Sequence, residues 1–357
     1  MMKCNGKSGR VKMEYRHKMK RSAVSLVIDK AIKNIQVDPR RTIRNLVDMG
    51  ECFSTTPAQK NFFDLAGEVL KNKDNPYYKL LLNLVYNVNA ETVKTISLNF
   101  GYTALNYGSQ IIRKNEAVLK KRIPWLLCFD FNTKYRDINT LEWTKSVIDD
   151  AVSLGIYTFV FRLCDFTEYF NDVLEICKKH RECCFFTAIS PLLLSKEQLE
   201  QVAKVRNLIL SVNVTNKNEV QCSKELLKLL HDYKCFYGFN TYYTNANADY
   251  IMSEEFTQEM IDCGCFFGGF INKNIEKKEL EKRIYRHVCS ARGKNGKPIF
   301  LFDFFTDAKY ISNSIFSAPD LYISDKGEAK MAGGIFANLH SVTLSELAKT
   351  SKFKFAD

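Results

Sequence analysis

Apolar positions in the first 120 residues recur at helical spacing. Val24, Val27, Ile28, Ala31 and Ile35 give residues 20–36 one apolar face. Asp38-Pro39 ends that run, and Arg40-Arg41 opens another around Ile43, Leu46 and Val47. Pro57 and Pro76 stand where further helices start, because a first-turn residue needs no amide donor. Residues 90–121 read as two helices split near 101–108, where two glycines fall. Nothing before residue 122 alternates with the two-residue period of a strand.

The pattern changes at Pro124. Short runs rich in aromatic and β-branched residues follow at 125–130, 157–163, 184–189, 208–213, 236–243, 266–271 and 299–303. Between most of them lie amphipathic stretches, at 141–154, 169–180, 196–205, 219–233, 254–263 and 276–290. Strands that alternate with helices build βα units and a parallel sheet, since each parallel strand needs a crossover. The expected fold is therefore α/β: six or seven βα units that fit a full or partial (β/α) barrel over 123–312, an all-α extension over 1–122 and a tail over 313–357. Asp325-Lys326-Gly327 signals a tight hairpin in that tail, with a short helix from Ser345. In such barrels ligands sit at the C-terminal ends of the strands.

Composition narrows the class. The 357 residues are 46% hydrophobic and 26% charged, which excludes wholesale disorder. No apolar run reaches the roughly 18 residues of a membrane span, and no basic start leads into an apolar segment. The expectation is a cytoplasmic protein with no membrane partner, whose twelve cysteines are thiols. The net charge of +12 is concentrated: residues 1–50 hold thirteen Lys/Arg against four acids. Lys12, Arg16, Lys18, Lys20 and Arg21 form a basic arm, either a solvated face or a contact for nucleic acid or an acidic protein. Its removal, as residues 1–21, is expected to leave the barrel folded.

Several stretches carry a family resemblance. They are Ile123-Pro124-Trp125, Leu154-Gly155, Tyr243-Thr244-Asn245-Ala246-Asn247, Lys297-Pro298-Ile299-Phe300 with Asp303-Phe304, and Leu321 through Glu328. Together they resemble bacterial radical SAM enzymes with a SPASM-type tail, along nearly the whole chain. The resemblance implies a [4Fe-4S] cluster that cleaves S-adenosylmethionine inside a partial barrel. It also implies a CxxxCxxC loop after the first strand, because three thiolates must leave one iron open. This chain reads Asp130-Phe131-Asn132-Thr133-Lys134-Tyr135-Arg136-Asp137 there, with no cysteine between Cys128 and Cys164. Where the family has a glycine-rich acidic turn, the chain has Leu163-Cys164-Asp165-Phe166; a strand-four acid is replaced in Ser211-Val212-Asn213. Ser314 and Ala332 occupy positions expected for auxiliary-cluster cysteines. The expectation is a degenerate member, a pseudoenzyme without iron–sulfur cluster or bound S-adenosylmethionine. It would act by binding an active radical SAM enzyme or a peptide substrate.

Other chemistry is sparse. No HExxH, GxSxG or GxxxxGK[ST] occurs. Asp130, Asp165, Asn213, Asn240 and Asp303 fall near strand ends, either satisfying each other or forming a residual ligand pocket. Cys164 is a candidate reactive thiol at a strand end. Non-radical catalysis through Asp130, Asp165 and Asp303, or nucleic-acid binding by the basic arm, are the alternatives. Leu163, Cys164, Phe131 and Phe166 are expected to fill the barrel mouth.

Overall fold

The computed structural model describes residues 5–54, 56–131, 140–163, 167–191, 194–272, 278–292, 296–316, 320–331 and 334–347. Six α-helices come first: α1 (Asn5–Asn34), α2 (Pro39–Phe53), α3 (Pro57–Leu70), α4 (Pro76–Asn87), α5 (Ala90–Ile96) and α6 (Ser109–Leu119). Three of them begin at a proline behind a polar cap. Asp38 accepts from the Arg41 amide, Asn75 accepts from the Tyr77 amide, and Thr56 forms a reciprocal capping box with Gln59.

The expected break within residues 90–121 is absent. A π-helix, Ser97–Gly108, joins α5 to α6 without interruption. Its wider winding turns Asn99, Tyr102, Thr103 and Asn106 inward, and all four are buried. Gly108 lies against Gly155, whose φ of +102° favours glycine. A β-carbon on Gly155 would stand 2.8 Å from the Gly108 carbonyl oxygen and 2.9 Å from the Ile112 nitrogen, so this close approach of the π–α6 helix to the turn before β2 admits no side chain.

Seven strands follow as the pattern predicts: β1 (Leu126–Phe131), β2 (Thr158–Leu163), β3 (Cys184–Ile189), β4 (Leu208–Asn213), β5 (Tyr237–Tyr243), β6 (Phe267–Asn272) and β7 (Phe300–Asp303). They lie side by side in chain order, all parallel. Between them run α7 (Thr140–Leu154), α8 (Thr167–Lys179), α9 (Lys196–Lys204), α10 (Lys217–Asp232), α11 (Ala248–Ile251), α12 (Glu254–Asp262) and α13 (Lys278–Arg292). Crossovers between parallel strands are right-handed, so strands laid down in one direction put every crossover helix on the same face. That is the winding of a partial (β/α) barrel.

Two elements depart from the expected order. A helix, α14 (Phe304–Ile315), follows β7 directly. The tail hairpin β8 (Leu321–Ser324) and β9 (Glu328–Met331), with β10 (Gly334–Asn338), is not set apart: β8 pairs in parallel with β1, and the sheet runs β10-β9-β8-β1 through β7. The short α15 (Leu344–Leu347) packs on α7, with the Ser345 amide donating to Asp150 at 2.7 Å. Gly327, at φ +75°, makes the hairpin turn.

The helix-facing side of the sheet is a wall of phenylalanine. Phe129, Phe131, Phe159, Phe161 and Phe185 are 0–1% exposed. Phe129 stacks on Phe161 at 5.0 Å, and Phe131 stacks on Tyr169 of α8 at 5.0 Å. One continuous core takes in this wall, the α5–π–α6 stretch and the tail residues Leu321, Ile323 and Leu344. The turn after α1 and helices α2, α3 and α4 share a smaller core of Ile35, Ile43, Leu70 and Tyr78.

Candidate binding face

Side chains alternate across a strand, so the sheet's second face carries the opposite set. There Asp130, Val160, Arg162, Phe186, Ala188, Ser211, Asn213 and Tyr242 are all half-buried, while their neighbours on the helix side are closed off. This concave face carries two polar groups.

The first is an ion pair. Asp130 and Arg162 are register partners on β1 and β2, and Nη2 donates to Oδ2 at 2.6 Å. Burial works against the Arg162 charge, but Tyr242, Asp130 and Cys128 outweigh it, and the guanidinium pKa lies above its ordinary value. Asp130 Oδ1 and Arg162 Nε are buried with no hydrogen-bond partner among the described residues. Beneath the pair, burial and then Asp320 push the Cys128 thiol well up. Burial, then Cys128 and Asp320, do the same to the Tyr322 phenol. Both are neutral at physiological pH.

The second is an amide chain. The Ser211 hydroxyl donates to Asn240 Oδ1 at 2.9 Å, and Asn240 Nδ2 donates to Asn213 Oδ1 at 3.2 Å. The structure thus joins Asn213 to Asn240 and gives Asp130 a partner. Asp165 and Cys164 lie outside the described residues.

Asp303 does not face the concave side. It pairs in register with Phe270, accepts from the Tyr243 hydroxyl at 3.0 Å and caps α14 through the Thr306 amide at 2.9 Å. It is fully buried and helps hold β7 to α14. Phe131 and Leu163 likewise point to the helix side, so they do not fill the barrel mouth, contrary to the sequence expectation. Strand parity explains both corrections: Asp303 shares a face with Leu301, and Leu163 with Phe161. The same parity reveals Arg162 and Ser211, two residues the sequence reading passed over as candidate site residues; Arg162 follows Val160 on the less hydrophobic side of β2.

The basic arm is a helix bound to the body. His17 is buried and stacks on Tyr107 at 3.7 Å. Arg21 Nη2 donates to Asn99 at 2.6 Å, Nη1 donates to Thr103, and Nε lies 3.5 Å from Glu182. Arg21 is therefore not part of a free cationic surface, whereas Arg16, Lys18 and Lys20 are exposed. The Lys12 side chain lies outside the described residues.

A hydrogen bond from His17, then the charge of Arg21, lower the Glu182 carboxyl pKa against the opposing effect of burial. A depressed carboxylate adds stability above its unfolded pKa and loses it as pH falls through the folded value. The denaturation midpoint is expected to fall below about pH 4.5. In Glu182→Gln that part of the slope should flatten in urea titrations at stepped pH.

The donor set does not fit the [4Fe-4S] group that the sequence resemblance implies. No thiol lies in residues 129–163, so the β1-to-α7 connection supplies no thiolate. Cys128, Cys177, Cys183 and Cys265 are fully buried, and burial pushes each thiol well above its ordinary pKa. Cys235 is pushed up to about 12 by the same cause. Among the described residues no three His, Cys, Asp or Glu side chains come together as a metal-holding group.

No protein-family profile and no curated protein matches the chain. Solved structures resemble it at low identity. Streptococcus suis SuiB bound to precursor peptide SuiA has a TM-score of 0.49 and 12% identity over 67% of this chain and 68% of that one. SuiB bound to S-adenosylmethionine gives 0.47 and 14% over 67% of each. Native anSMEcpe with bound AdoMet and Cp18Cys peptide gives 0.45 and 13% over 65% of this chain and 82% of that one. No helix among the described residues is long and apolar enough to cross a membrane.

Proposed function

We propose that this chain is a radical SAM-like pseudoenzyme that works by binding, with its concave sheet face holding a peptide or a segment of a protein partner such as an active radical SAM enzyme. The observation that carries the reading is the state of the thiols: the β1 connection has none, the buried ones are held protonated by burial, and no three described ligand side chains come together as a metal-holding group. The concave face supports the binding half. Arg162 and the Ser211–Asn240–Asn213 chain bring donors and acceptors to a half-open surface, the mixture that peptide amides match. Catalysis through three carboxylates loses support because Asp303 caps a helix on the other face.

Anaerobic reconstitution with iron and sulfide tests the reading. The expected result is no visible charge-transfer band and no stoichiometric iron. About four irons per chain, lost on substituting Cys128 or Cys164 by Ala, would overturn it. Titration calorimetry with S-adenosylmethionine is expected to show no binding, since no cluster iron is there to chelate it. A micromolar affinity abolished by Asp165→Ala would contradict that.

A further inference from the structure

Helix α1 is apolar on two opposite sides. Its inner side carries Val24, Ile28 and Ala31, of which Ala31 is buried, with His17 and Arg21 alongside, and Ile35 in the turn just after the helix continues that side. On its outer side Tyr15, Met19 and Leu26 follow one another by four and seven residues, so they share one stripe. They are 65%, 59% and 70% exposed. Burying them against this chain is not what keeps them apolar.

The charges around the stripe are one-sided. Arg16, Lys20, Lys30 and Lys33 are exposed and have no ion-pair partner among the described residues. The two acids of the helix are already answered: Glu14 lies 4.0 Å from Lys18, and Asp29 is 2.8 Å from Lys94. The spacing of the stripe is that of a coiled-coil seam, and Arg16 and Lys18 stand at the flanking positions that choose a partner's charge. A second copy of this helix would set cation against cation, which the same rule penalises.

We infer that the outer face of α1 docks an acidic amphipathic helix of another protein, one with leucine-type residues in its seam and glutamate at its flanks. Three seam residues make a short contact, so the complex is weak and depends on charge. The inference does not depend on the concave face, and the two surfaces are separable by substitution.

The test uses the full chain and a fluorescent 21-residue designed helix with Leu in the seam and Glu at the flanks. A sibling peptide with Lys at the flanks and vesicles containing phosphatidylserine are the comparisons. The acidic peptide should bind, weakening at least tenfold from 50 to 500 mM salt. Met19→Glu with Leu26→Glu, and separately Arg16→Glu with Lys18→Glu, should each weaken it at least tenfold while circular dichroism stays unchanged. Val118→Glu, at an equally exposed apolar site on α6, and Arg162→Ala should leave it intact. Equal binding of the basic peptide, indifference to both double variants, an equal loss in Val118→Glu, or binding to vesicles without binding to the acidic peptide would each overturn the inference. Loss of binding in Arg162→Ala would also overturn it, by placing the contact on the concave face.

Discussion

Removing residues 1–21 is expected to destabilise the protein by about 5 kcal/mol, the reverse of the sequence expectation of a dispensable polar arm, because buried polar groups lose their partners and a ring stack is lost. Asn99 and Thr103 are buried on the π-helix and accept from Arg21. Asn99 also donates to the Arg181 and Cys183 carbonyls, at 2.8 and 2.7 Å, where the chain enters β3. Deleting the arm therefore strips a network that ties three separate parts of the chain together. Differential scanning calorimetry should show a fall in melting temperature of about 10 °C or more. Arg21→Ala alone should give a substantial part of it, since it leaves two acceptors unsatisfied. A truncated chain that melts with the full one would mean that α1 is only loosely attached.

Phe161→Ala is the point change expected to cost most, about 4 kcal/mol. The ring is 0% exposed and lies in the middle of the phenylalanine wall, 5.0 Å from Phe129 and 6.1 Å from Phe185. Aromatic neighbours on both strands cannot close over the missing volume, so the loss combines transfer and cavity terms. Equilibrium urea unfolding measures it. Tyr310→Ala, at an exposed site on α14, should change stability by less than about 0.5 kcal/mol. A loss below about 1 kcal/mol for Phe161→Ala would show the wall to be loosely packed.

Much of the barrel is legible in the sequence because each strand is a dense run of aromatic and β-branched residues between amphipathic helices. Ser97–Gly108 is different: a π-helix uses the same residue types as an α-helix, and only the folded backbone shows which winding is present. Helix α14 hides behind strand-like residues, Phe304-Phe305 and Tyr310-Ile311, while its start is fixed by Asp303 acting as a cap. The candidate site was half legible. Asn213 stands out as a polar residue at a strand end, and Asn240 as a lone amide in the middle of β5. Arg162 does not, because a lone cation in an apolar run looks like an interruption until its register partner, Asp130, is known. The side of Asp303 is legible only once the face of β7 it shares with Leu301 is counted.

The pairing of β1 with β8 has a consequence for how the chain is made. Leu127 and Leu321 are direct neighbours in the sheet but lie about 190 residues apart in sequence, a long closure for a folding chain. Throughout synthesis of β2 to β7 on the ribosome, β1 shows an unpaired edge of main-chain amides flanked by buried-type leucine and phenylalanine. Such an edge invites pairing with other chains. Pairing of residues 321–324 with β1 closes it once they have left the ribosome, so a stall or premature stop upstream would release a barrel with an aggregation-prone side exposed.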